Sequence, residues 1–336
     1  MGGKDVNDRV TGLLELYDIE AVRVRKGRGA LLCDTDNGCF IFKEYNGSEQ
    51  KAGLQARVLK KLADEGVSCE RIFPTKEGAL FCQDTDGRKY MLKSYFDNRE
   101  CNIRDSQECR EAASMLSRLH RRMVLPPGEA GDLSVYSLTH EYEKHNRELK
   151  KVWQYLCKKG QKSAFEVTLL ARYPYFLNQA LEVSGEWKEF ALDSDTEYIK
   201  EKGFLCHGDY QQHNIIRGNR EFAVINFEKL VMDNPVRDIC LYLRKVMEKN
   251  NWNVELGECI LHAYDVGNPL PARSFVELYY RLAYPVKFWK IVNFYYNARK
   301  VWTPDKNIEK LNILMEQEQQ KQNFLDKVFR DVAHLR

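Results

Sequence analysis

No run in the 336-residue sequence comes near the ~18 consecutive apolar residues that a membrane-spanning helix requires. The opening MGGKDVNDRV has no apolar stretch of the kind a secretion signal is built on. Gly2 follows Met1, but Val6 stands where a myristoylation signal needs Ser or Thr. A protein made and kept inside a cell compartment, with no membrane partner, is the expectation. Charge of one sign is not in excess either: 52 Lys and Arg against 49 Asp and Glu leave a formal net charge of +3. The two signs are dispersed, as on a solvated mixed surface, so no nucleic-acid partner is expected. The ten cysteines include no CxxC and no Cys/His pair at zinc spacing. Cys33, Cys39 and Cys82 lie in strand-like runs, and Cys109 and Cys240 suit apolar helix faces. Buried free thiols in a reducing compartment are expected.

What is present begins with strand signals. ALLCDTDNGCFIFKEY is an apolar run, a turn and a second β-type run, and ALFCQDTDGRKYMLKSYF repeats the design with Asp84–Gly87 as the turn. With AVRVRKG they predict an antiparallel sheet of about five strands. In RVRKGRGALL, Gly27 and Gly29 read as a plain hairpin turn rather than a phosphate-binding loop. Between the hairpins, Leu54, Val58, Leu59 and Leu62 fall on one helical face, and Gly66 is the expected stop.

From Ser106 the period changes. Cys109, Ala112, Ala113, Leu116 and Leu119 form an amphipathic stripe behind Ser106 as N-cap. VLPPGEAGD reads as a loop and most of the remainder as helix. The fold class expected is α+β and bilobal: a sheet lobe with one helix over residues 1–97, and a larger helical lobe over 98–336.

The chemistry concentrates in FLCHGDYQQHNIIRGNREFAVINFEKLVMDNPVRD, Phe204 to Asp238. Phosphoryl transfer requires that a triphosphate and magnesium be held and an acceptor hydroxyl oriented. In HGDYQQHN a carboxylate precedes an amide by five positions, the spacing at which a kinase-type Asp faces the hydroxyl and the Asn faces the metal. Asp209 is therefore the catalytic candidate, Asn214 a metal and nucleotide-side ligand, and His207 a brace behind the loop. A hairpin in IIRGNREFAVINF and a helix opening at Arg237-Asp238 follow, with Asp238 as structural support. Lys43, in the strand CFIFKEY, is the expected phosphate contact, and a helix follows it directly. Lys93 sits almost identically in the second hairpin and is its rival.

HGDYQQHN with VINFE and PVRD resembles the aminoglycoside phosphotransferase and choline kinase-like families. RECNIRDSQECREAASMLSRLHR, YLRKVMEKNNWNVELGECIL, LAYPVKFWKIVNFYYNARKVWTP and NIEKLNILMEQEQQKQNFL resemble the CotS-type spore coat proteins within that superfamily. The resemblance covers nearly the whole chain. It implies a protein-kinase-like fold and a role in the endospore coat, reached from the mother-cell cytoplasm, with other coat proteins as partners.

Two departures bear on activity. The families carry Asp where this chain has Asn226, a position the resemblance makes a metal and nucleotide ligand. An amide supplies oxygen without charge. One unit charge at ~4 Å and an effective dielectric of ~20 is worth about 4 kcal/mol of gross attraction, or on the order of 10³ in rate. Glu228, two residues on, would share the side of Asn226 along a strand and could serve as a third metal ligand. The helix after Lys43 offers Gln55 rather than Glu, able to hydrogen-bond Lys43 without neutralising it. Tyr279, Tyr280, Tyr284, Phe288, Trp289, Phe294, Tyr295, Tyr296 and Trp302 are read mainly as core, with Trp302 and Asn293–Tyr296 as candidates for a cleft or partner surface.

The function expected is that of a CotS-type coat protein, catalytically weak or inactive, acting in assembly. An active small-molecule phosphotransferase with ATP and Mg2+ as cofactors is one alternative. A nucleotide-sensing pseudokinase scaffold is the other.

Overall fold

A computed structural model describes residues 12–333 apart from 18, 28, 37, 127, 130–132, 192–194, 219–220 and 298–303. Trp302 and part of the VLPPGEAGD loop lie outside the described residues. The chain divides into two compact units. The first holds the described residues up to Asn102, Arg121–Met123 and His207–Leu230; the second holds Ile103–His120, Val124–Cys206 and the described residues from Val231 on. The division differs from an expected cut between 97 and 98, because the HGD loop and its hairpin cluster with the sheet.

In the first unit, β1 (Ala21–Lys26), β2 (Leu31–Thr35), β3 (Gly38–Tyr45) and β6 (Lys89–Ser94) run antiparallel in that order, with β4 (Ile72–Phe73) beyond β6. β5 (Cys82–Gln83) also pairs with β6. Among the described residues this sheet has six strands where about five are expected. Two-residue β4 carries no alternation long enough to announce it. β2 pairs with β3 and β5 with β6, as the two predicted hairpins require, and Gly29 has φ 71° between the paired strands β1 and β2. One face of the sheet packs Cys33, Phe42 and Leu92 against Leu14 and Tyr17, with Phe42 and Tyr90 stacked at 5.2 Å.

Helix α1 (Glu49–Asp64) starts where the Ser48 hydroxyl accepts from Lys51 N and ends before Gly66 (φ 76°). Its Leu54, Val58, Leu59 and Leu62 are buried, as the periodicity predicts. At about 1.5–3 kcal/mol per buried aliphatic side chain, that stripe holds the helix in place. The segment after α1 then runs beside the hairpin of β8 (Ile215–Arg217) and β9 (Phe222–Val224). Cys69 bridges Val224 in parallel, Glu70 N donates to Val224 O at 2.9 Å, and Val224 N donates to Ser68 O at 3.0 Å.

The second unit is mainly helical. Helix α2 (Ser106–Arg122) buries the whole predicted stripe. Its cap is Asp105 rather than Ser106: Asp105 Oδ1 accepts from Gln107 N at 2.8 Å and Glu108 N at 3.1 Å. Ser106 is already helical, and its neighbour's carboxylate is the stronger acceptor for the unpaired N–H groups of the first turn. Strands β7 (Leu205–Cys206) and β10 (Val231–Met232) form a short ladder. Helix α3 (Val236–Met247) opens at the PVRD motif. Tyr280, Tyr284 and Phe288 of the aromatic tail are core, while Phe294 is exposed.

Candidate active site

Lys43 and Lys93 stand on neighbouring antiparallel strands. Ile41 faces Lys93 across the ladder, and Lys43 lies two residues beyond Ile41, so both lysines share one face of the sheet. They meet on one acceptor. Lys43 Nζ lies 2.9 Å from Glu228 Oε1, and Lys93 Nζ donates to the same atom at 2.8 Å. The two lysines that compete in the sequence as phosphate contacts are thus joined through Glu228.

Lys93 also donates to Glu70 Oε1 at 3.1 Å, and both residues are only 2% exposed. Glu70 in turn clamps the backbone of the turn at Asn226. Its Oε2 accepts from Asn226 N at 2.9 Å and its Oε1 from Phe227 N at 3.0 Å. Asn226 is left-handed there (φ 68°, ψ 56°), a conformation Asn tolerates better than most residues. Strand β9 has ended at Val224, and residues 227–229 form a 3-10 turn. Alternation along a strand therefore does not explain why Glu228 and Asn226 both reach Lys43; the turn does.

The Asn226 side chain is used at both ends. Its Oδ1 accepts from Lys43 Nζ at 2.9 Å and its Nδ2 donates to Asn214 Oδ1 at 2.8 Å. Asn214 donates to the Asp209 carbonyl at 2.8 Å. The Asp209 carboxylate accepts from Lys229 Nζ at 3.0 Å and Gln211 Nε2 at 2.9 Å. His207, fully buried, bonds Ile225 O through Nε2 at 2.9 Å, accepts from Asp209 N at 3.1 Å through Nδ1, and packs edge-on to Phe227. Gly208 is required by contact: its φ is 78°, and a Cβ there would lie 2.1 Å from Lys229 O. Lys43, Asp209, Asn214, Asn226 and Glu228 thus come together, with His207 behind the loop.

Asp238 belongs to the other unit, on α3. It is buried 3.2 Å from His120 Nε2, whose Nδ1 meets Tyr264 Oη at 2.8 Å. Gln55 does not take the place of a helix acid: it is 1% exposed, with no hydrogen-bond partner for its side chain among the described residues. Glu228 pairs with Lys43 instead. Glu70 was not legible as a site residue, since it sits in a segment with no motif and reaches the turn only through tertiary pairing.

Burial by itself would raise the Glu228 carboxyl. Lys93 and Lys43 outweigh it and bring the pKa down to about 2. Burial would likewise lower the Lys93 ammonium, yet Glu70 and Glu228 hold it above the ordinary lysine value. The adjoining cleft, about 400 Å³, is lined by Lys43, Lys51 and Lys229 against Glu44, Asp209 and Glu228. Lys43 is paired there with Glu228 and Lys229 with Asp209. A magnesium ion does not fit the same donor set. The amide oxygens of Asn214 and Asn226 already accept from protein N–H groups, and Glu228 and Asp209 are each matched by lysine.

The family described as "Spore coat putative kinase YutH" matches residues 11–328. "Spore coat protein S" of Bacillus subtilis (strain 168) is 26% identical over 321 residues, which are 90% of this chain and 88% of that protein. Among solved structures, an aminoglycoside phosphotransferase from Alicyclobacillus acidocaldarius aligns with TM-score 0.83 at 17% identity, covering 96% of each chain. A spectinomycin phosphotransferase, solved with ADP and spectinomycin, aligns at 0.68 and 16% identity over 92% of this chain and 93% of that one. At such identities the likeness shows the fold, which is that of the kinase-like phosphotransferases. The chain belongs to the spore coat putative kinase YutH family, as the CotS-type resemblance of its tail motifs implied.

Proposed function

We propose that this chain is a spore coat protein that uses a kinase-like fold for coat assembly and is catalytically weak or inactive. It would move from the mother-cell cytoplasm to the coat, where other coat proteins are its partners; the name of its Bacillus subtilis relative, "Spore coat protein S", supports that address. The observation carrying the low-activity reading is Asn226. Its amide stands where, by the resemblance, the aminoglycoside phosphotransferase and choline kinase-like families carry a carboxylate, and it is bonded to Lys43 and Asn214, while Glu228 is held by two lysines. Among the described residues lining the cleft, Lys43, Lys51 and Lys229 balance Glu44, Asp209 and Glu228, which leaves no surplus negative charge to hold a magnesium ion.

The opposing reading, an active phosphotransferase with Asp209 as base, draws on Asp209 and Asn214 lining the same cleft as Lys43. The two separate in one assay. Phosphate release from ATP and the ATP-induced thermal shift are measured with and without magnesium, on the natural protein and on Asn226→Asp. Turnover by the Asp variant alone is the expected result. Magnesium-dependent turnover by the natural protein would refute the proposal.

A further inference from the structure

The mismatch between this donor set and a divalent ion has a cause inside the chain. Lys93 lies behind the cleft wall, 2% exposed, with its ammonium bonded to Glu70 at 3.1 Å and to Glu228 at 2.8 Å. Lysine is costly to bury unless its charge is matched, and here two carboxylates match it. Without Lys93, Glu228 and Glu70 would present two negative charges beside the Asn226 turn, with only Lys43 against them. With Lys93 in place, the cluster of Lys43, Lys93, Glu70 and Glu228 is neutral. The ammonium is held by its two carboxylate partners in a site where Lys93 is buried, on a strand paired to β3.

We propose that Lys93 is a built-in cation standing in for the divalent ion, so that this site takes a phosphate-bearing anion, such as a nucleoside diphosphate or pyrophosphate, without magnesium. Two further features agree. Asn226, neutral, adds no carboxylate for a metal to bridge, and its Oδ1 is held by Lys43. Lys43, Lys51 and Lys229 line the cleft with Glu44, Asp209 and Glu228, and an uncomplexed phosphate would take charge-assisted bonds from Lys51 and, in competition with Glu228 and Asp209, from Lys43 and Lys229. The inference rests on the kinase-fold reading of the site, but not on whether the site turns over.

The test is calorimetric titration of the full chain with ADP and with pyrophosphate, in EDTA and in excess magnesium. Manganese binding is followed in parallel by electron paramagnetic resonance. The natural protein is expected to bind both ligands with affinities within about twofold between the two buffers, a difference of less than 0.5 kcal/mol, and to hold no manganese. In Lys93→Met, binding in EDTA should fall by about tenfold or more, be restored by magnesium, and be joined by a new manganese site. Should that variant not fold by circular dichroism, the natural protein's metal dependence and manganese titration decide alone. Binding by the natural protein only with magnesium, binding of neither ligand in EDTA, or a manganese site already present would overturn the proposal. Phosphate release from ATP is recorded on the same samples. Turnover together with metal-free binding refutes the weak-kinase reading alone; metal-dependent binding without turnover refutes the role of Lys93 alone.

Discussion

Replacing Glu70 by Gln tests the clamp that orders the Asn226 turn. The carboxylate receives three donors: Asn226 N at 2.9 Å on Oε2, with Phe227 N at 3.0 Å and Lys93 Nζ at 3.1 Å on Oε1. Glutamine keeps one acceptor oxygen and turns an N–H toward at least one of these donors. Leaving one buried N–H unsatisfied costs about 1–3 kcal/mol. Lys93 meanwhile loses one of its two counter-charges, and breaking a buried pair from one side costs about 3–5 kcal/mol. Because Glu228 continues to neutralise Lys93, the lower part of that range applies, and a total near 4 kcal/mol is expected. Urea unfolding of the natural protein, Glu70→Gln, Lys93→Met and the double variant measures it. Glu70→Gln should cost at least about 1 kcal/mol less in the Lys93→Met background, since the two share one interaction. A single-variant loss below about 1 kcal/mol, or no coupling between the two sites, would refute the assigned clamp.

Acid stability should report the same cluster. Glu228 titrates at about 2, below its ordinary value, so its contribution is complete above the unfolded carboxyl range near 4.5 and is lost as pH falls toward 2. That shift amounts to about 3 kcal/mol, and Glu228→Gln should abolish that part of the pH dependence. His145 acts in a higher window: burial, then Lys144 and Lys290, lower it to about 4. Stability from neutral His145 is present above 6.5 and lost as pH drops toward 4, and His145→Phe should flatten the unfolding midpoint over that interval. Gly208→Ala should destabilise by at least about 2 kcal/mol, because the position is left-handed and its Cβ would strike Lys229 O. A thermal midpoint unchanged from the natural protein would contradict the close approach of these two backbones.

Much of this protein is local, and so was legible in the sequence. Asp84–Gly87 makes a turn from its own residue types, and Leu54, Val58, Leu59 and Leu62 repeat at helical spacing over a stretch bounded by Ser48 and Gly66. The HGD…N spacing and the tail motifs place the chain in its family without coordinates. What tertiary structure decided lies at long separation. Glu70 and Asn226 are 156 residues apart, and they meet because the segment after α1 pairs with β9 at Cys69 and Val224. Lys43 and Lys93 read as rivals along the chain; the register of β3 against β6 puts both on one face and Glu228 between them. Gln55 suits a contact with Lys43 by its place on the helix, yet it is buried without a partner among the described residues. A charge's neighbours along the chain do not specify the charge it meets across the fold. Backbone pairing brings such groups together, and the cost of burying any of them unmatched fixes how they end up paired.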